Sequence, residues 1–130
     1  MAELRLTKAE REQVRGKFGG LCAYCGQPLP ERWHADHFEP VLRNAFFNNV
    51  GPAYPDRHRL DNMMPACPRC NISKGPLSLE DWRSWLRGHV DSLNAYNTPY
   101  KLAKAFGLVI ETGAPIVFYF ERMQDERDAA

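Results

Sequence analysis

Leu79, Trp82, Leu86 and Val90 recur at helical spacing, which predicts a helix capped by Ser78, running to about Val90 and burying that stripe in the core. An earlier helix is announced by Thr7 as N-cap with Glu10 three residues on, a capping box, and should run to about Phe18 before Gly19 and Gly20 stop it. Lys8, Arg11 and Arg15 would share one face of that helix, read as a solvated surface with a phosphate-contacting strip as the alternative. Residues 32–38 read as a short strand whose pairing ends at Pro40. Periodicity then lapses: Arg43 to Arg59 reads as a long loop containing Asn, Pro and Gly and carrying the apolar patch Ala45-Phe46-Phe47. Pro68 to Lys74 predicts a short helix ended by Gly75-Pro76. Thr98 and Pro99, in the order N-cap then N1, open a further helix that Gly107 closes. Leu108 to Ile110 and Ile116 to Glu121, around Thr112-Gly113, predict a C-terminal β-hairpin, followed by a charged tail expected to fray.

These elements occupy 130 residues, about the length of one domain, so 1–130 is expected to form a single α+β domain. A composition 44% hydrophobic and 25% charged excludes a disordered or fibrous chain. No run approaches the about 18 apolar residues of a membrane span, and MAELRLTKAERE alternates charge where a secretion signal would be apolar. No membrane partner and a cytoplasmic location are therefore expected. Formal net charge is only +1, yet residues 1–75 carry eleven Lys and Arg against eight Asp and Glu, and residues 76–130 six against eight. The basic surplus lies with the cysteines.

Those cysteines form two pairs of identical short spacing, Cys22/Cys25 and Cys67/Cys70, each in a turn rich in Pro, Gly or Asn. Two such knuckles can present four thiolates to one tetrahedral Zn²⁺, the alternative being four buried free thiols. A four-thiolate site is closed, so this zinc would be structural.

Between and beside the knuckles lie Trp33-His34-Ala35-Asp36-His37-Phe38-Glu39-Pro40 and Asn62-Met63-Met64-Pro65-Ala66-Cys67-Pro68-Arg69-Cys70-Asn71-Ile72-Ser73-Lys74-Gly75. This constellation resembles the HNH endonuclease motif in its zinc-bearing form, common in phage and bacterial nucleases, over residues 20–76. The resemblance implies a ββα-metal fold: a two-stranded ribbon packed on one helix with the catalytic metal between them. It further implies that Asp36 and Asn71 hold that metal, that His37 activates water, and that Asn62 braces the loop orienting His37. Asn71 stands where the family name has His. The interval from His37 to Asn62 is longer than in compact members, which makes the Arg43 to Arg59 loop an insertion, and residues 77–130 form a helical and hairpin extension with no counterpart in the motif.

The residue types suit that chemistry. Phosphodiester hydrolysis needs an activated water, neutralised phosphoryl oxygens and a stabilised leaving oxygen. A neutral imidazole such as His37 can take a proton near neutral pH, and a hard ion such as Mg²⁺ prefers oxygens like those of Asp36 and Asn71. Taken singly, Asn71 could be a positive-φ turn residue, Asn62 an ordinary turn residue and Asp36-His37 a chance dipeptide; together they point to a nuclease site. Arg69 and Lys74, on the same short helix as Asn71, are candidate DNA contacts or surface charges. His34 is a substrate-side or supporting residue, and His58 and His89 read as solvent-facing. Trp82 and Trp85 read as core, with base stacking as the alternative. The expectation is a metal-dependent DNA endonuclease; the rival is a non-catalytic zinc-ribbon-like module binding nucleic acid or protein.

Overall fold

The computed structural model describes residues 5–41 and 54–129. Most of the expected loop, 43–53 with Ala45-Phe46-Phe47, lies outside the described residues; its end, Pro55–Arg57, is a single 3₁₀ turn. The chain is α+β and divides into two compact units, one of residues 1–78 and 117–130, the other Leu79–Ile116.

In the first unit, helix α1 spans Lys8–Arg15. Its capping box is complete: the Glu10 N–H donates to Thr7 Oγ1 at 3.1 Å and the Thr7 N–H to Glu10 Oε1 at 2.9 Å. A 3₁₀ turn, Gly16–Phe18, carries the chain on to Gly19 at φ +62°. Lys17 on that turn donates its ammonium to the carbonyls of Leu60 and Met63 at 2.6 and 2.5 Å, anchoring the start of the second strand.

Strand β1, His34–His37, pairs antiparallel with β2, Met63–Ala66, in the register His34 opposite Ala66 and His37 opposite Met63. Helix α2, Pro68–Lys74, follows at once, with Pro68 in its first turn where a missing N–H costs nothing. Thus the dyad at the end of β1 lies opposite the start of β2, immediately after Asn62.

The C-terminal hairpin does not form. Residues 108–118 carry no strand, and Tyr119–Ala129 is a helix, here α6. The alternating apolar residues instead find a tertiary partner. Phe118 is buried, its ring 5.9 Å from that of Tyr24, and Phe120 packs edge-on to Tyr24 and Phe38. The N–H groups of Tyr119 and Phe120 donate to the carbonyls of Tyr24 and Ala23, so this segment pairs with the first cysteine turn and not with itself.

The second unit contains α3 (Leu79–Arg87), α4 (His89–Tyr96) and α5 (Thr98–Ala105). The single helix expected to Val90 breaks at Gly88. Trp82 is buried as expected, but Val90 lies beyond the break, off the α3 stripe, and is exposed, as is Trp85 at 62%. Helix α5 is capped by Asn97, which accepts from the Tyr100 N–H at 2.8 Å, one residue earlier than the expected Thr98. Arg83 binds Glu80 and the Ile116 carbonyl, and Glu111 gathers Asn94, Tyr100 and Lys104, which hold the irregular segment after α5. No helix among the described residues is long and apolar enough to cross a membrane.

Candidate active site

The first cysteine turn is built by local backbone bonds: the Cys22 N–H donates to Gln27 O at 2.8 Å and the Gly26 N–H to Cys22 O at 3.0 Å. Gly26 sits at φ +76°, and a Cβ there would stand 2.9 Å from the Tyr119 ring, so both conformation and space call for glycine. The Ala23 N–H donates to Pro65 O on β2, carrying the turn to the ribbon. The second pair comes from α2, with Cys67 as its N-cap residue and Cys70 in its first turn. The four sulfurs lie within 4.8 Å of one another, and Cys25 and Cys67 are 3.8 Å apart. Zinc–sulfur bonds of about 2.3 Å in a tetrahedron place sulfurs about 3.8 Å apart. All four cysteines are free thiols, and the donor set and spacing fit zinc. Crowding splits their acidities: hydrogen bonds, first from Cys70 and then from backbone N–H groups, draw the Cys22 thiol down to about 4, while the Cys22 contact and burial push Cys70 up.

On the other side of the ribbon's end, His34, Asp36 and His37 of β1 meet Asn71 of α2 around one cavity of about 350 Å³, completed by Pro40, Val41, Gly75 and Pro76. The structure therefore brings together the dyad and the final asparagine, which are 34 residues apart in sequence. Asn62 is buried behind them. Its Oδ1 accepts from the Glu39 N–H at 2.9 Å, and its Nδ2 donates to the carbonyls of Glu39 and Arg57 at 2.9 and 2.6 Å. One amide thus ties the segment just after His37 to the turn just before His58.

That tie has a consequence at the imidazoles. His58, expected to face solvent, is half-buried with Nδ1 2.9 Å from His37 Nε2. No motif marked it, because the contact is made across a loop. Asp36 is also more enclosed than its strand position suggests. Tyr24 donates its hydroxyl to Asp36 Oδ2 at 2.5 Å, and the Lys74 ammonium lies 3.4 Å from the same oxygen. Burial raises the Asp36 carboxyl above its ordinary value, opposed by Lys74 and the Tyr24 hydrogen bond. Burial and the neighbouring carboxylate likewise push the Tyr24 phenol up, so it remains a donor. A tyrosine inside a cysteine turn was the one available signal, since a buried hydroxyl requires a partner.

Of the two candidate DNA contacts, Arg69 is exposed on α2, whereas Lys74 is wholly buried and donates also to the His37 carbonyl at 3.3 Å. Lys74 is therefore an internal ion-pair partner and not a phosphate contact; position on a short helix does not reveal which side faces inward.

The HNH endonuclease family matches residues 22–77, an interval that holds both cysteine pairs, the dyad and both asparagines. Over that segment, a little under half of the chain, the sequence is similar to the HNH endonuclease family. An SPbeta prophage-derived protein of Bacillus subtilis (strain 168), named as an HNH endonuclease, is 25% identical over 77 residues, covering 59% of this chain and 33% of the relative. The chain thus spans about a third of that relative's length. No solved structure matches it. The HNH segment coincides with the ribbon, α2 and the sulfur cluster; α1 and α3 to α6 lie outside it.

Proposed function

We propose that the HNH segment is a metal-dependent endonuclease that hydrolyses DNA phosphodiester bonds, with His37 as general base. The observation that carries this reading is the single cavity walled by His34, Asp36, His37 and Asn71. A base, a carboxylate and an amide oxygen around one opening are what a phosphoryl transfer to water requires, and a binding module needs none of them.

Asp36 and Asn71 would hold a divalent cation such as Mg²⁺, because hard ions take carboxylate and carbonyl oxygens and retain water. Among the described residues Tyr24 and Lys74 both meet Asp36 at Oδ2, and Oδ1 would take the ion. When bound, such a cation supplies neutralisation of the phosphoryl oxygens and of the departing sugar oxygen. The rest belongs to the chain. His37 takes the proton from water, and His58 holds its ring through Nε2. Asn62 keeps both histidines in register by bonding the backbone next to each. Tyr24 and Lys74 fix the Asp36 carboxylate. Zn²⁺ on Cys22, Cys25, Cys67 and Cys70 would lock the first turn to α2, and with it Asn71 to the ribbon. Arg69, exposed on α2, would approach a phosphate from solvent.

The test is cleavage of supercoiled plasmid across divalent cations by the wild type and by Asp36→Ala, His37→Ala and Asn71→Ala. Metal-dependent cutting lost in all three supports the reading; a wild type that binds DNA without cutting under any cation refutes it in favour of the binding module.

A further inference from the structure

A second cavity, of about 340 Å³, shares His34, Ala35 and His37 with the first and is completed by Arg5, Leu6, Arg11, His58 and Met63. Among the described residues two guanidinium groups line it and no carboxylate does. Two arginines of this unit are matched to acids, Arg57 to Glu39 and Arg59 to Asp61. Arg11 is not held that way. Its guanidinium lies 4.2 Å over the Trp33 ring, and Nη2 donates to the Trp33 carbonyl at 3.2 Å. Those contacts orient the group without cancelling its charge. One of its five N–H donors is used there, and no other hydrogen bond or ion pair engages it among the described residues. A planar fork already fixed in place loses little entropy on gripping a phosphate.

We infer that Arg5 and Arg11 form a subsite for a backbone phosphate of the DNA strand next to the one being cut. The inference rests on the nuclease reading of the first cavity. Each strand of a duplex presents a phosphate every ~3.4 Å of helix axis, so a strand with one phosphate at the Asp36 side of His37 has another within reach of a cavity that shares its wall. Helix α1, outside the HNH segment, thereby acquires a substrate-binding role, and the alternative reading of its basic face holds at Arg11 and not at Arg15, which lies outside the lining. Phosphate contacts of this kind position the strand and carry no base information.

The experiment uses the full chain with a short DNA duplex. Affinity is measured without added divalent cation between 50 and 200 mM salt, and cleavage kinetics with Mg²⁺, for the wild type and for Arg5→Gln, Arg11→Gln and Arg15→Gln. Arg5→Gln and Arg11→Gln should each weaken binding of every sequence alike, reduce the slope of log affinity against log salt by about 0.9, and raise KM with kcat near the wild-type value. Arg15→Gln should change none of these. Wild-type slopes in both lining variants, or equal losses in Arg15→Gln, overturn the subsite. Should Arg11→Gln melt early because Trp33 has lost its partner, Arg5→Gln alone decides. A wild type whose binding depends on these arginines but which never cuts would sink the nuclease reading and leave the phosphate subsite standing.

Discussion

Lys74 Nζ lies 3.4 Å from Asp36 Oδ2 with its side chain wholly out of solvent, so the carboxylate assigned to metal binding is held by a buried cation at one oxygen. Removing one member of such a pair leaves the other charged and unmatched. Lys74→Met should therefore destabilise the fold by about 3–5 kcal/mol. Denaturant unfolding checks it, and a midpoint equal to the wild type would show that the pair is not formed.

The sulfur cluster should hold one Zn²⁺ per chain. Its ligands come from segments 42 residues apart, which an unfolded chain cannot gather, so metal binding adds directly to folding stability. Cys67→Ser, which also removes the thiol 3.8 Å from Cys25, should unfold or misfold the protein. Elemental analysis without zinc, or wild-type melting of that variant, would count against this.

The two metals should separate by ligand softness. Thiolates retain Zn²⁺, whereas one carboxylate and one amide oxygen hold a hydrated hard ion loosely. Brief EDTA should stop cleavage and added Mg²⁺ or Mn²⁺ restore it while zinc content stays constant. Cutting that continues with no exchangeable cation present would contradict the assignment of Asp36 and Asn71.

Much of this site was written in local spacing, and the rest was not. Metal knuckles and the Asp36-His37 dyad are short-range patterns, and α2 announces itself through Pro68 and Gly75, so their residues are legible in the sequence itself. Tyr24, His58 and Lys74 acquire their roles only by approach across the fold, which no periodicity records. The same override explains the C-terminal error. Residues 116–121 alternate like a strand, but Phe118 and Phe120 have a better partner in Tyr24, and the backbone follows them into α6. Likewise, the apolar spacing of 79–90 runs through Gly88, since an isolated glycine does not by itself say that a helix stops.

His58→Ala should lower cleavage by about 10- to 100-fold, since a misplaced base costs on that order, with zinc content and DNA affinity little changed. His58→Asn, which can still offer a side-chain partner to His37 Nε2, should recover part of the loss. Equal rates for both variants and the wild type would mean that the 2.9 Å contact does not position the base.

The most direct measurement is plasmid nicking by His37→Ala beside the wild type under saturating Mg²⁺, with folding, zinc content and DNA binding followed in parallel. Loss of a well-placed base is worth about 10²–10⁴ in rate. The account predicts at least that drop in cutting, with melting, zinc and affinity near wild-type values and no rescue by further cation; His37→Ala that cuts as fast as the wild type would contradict it.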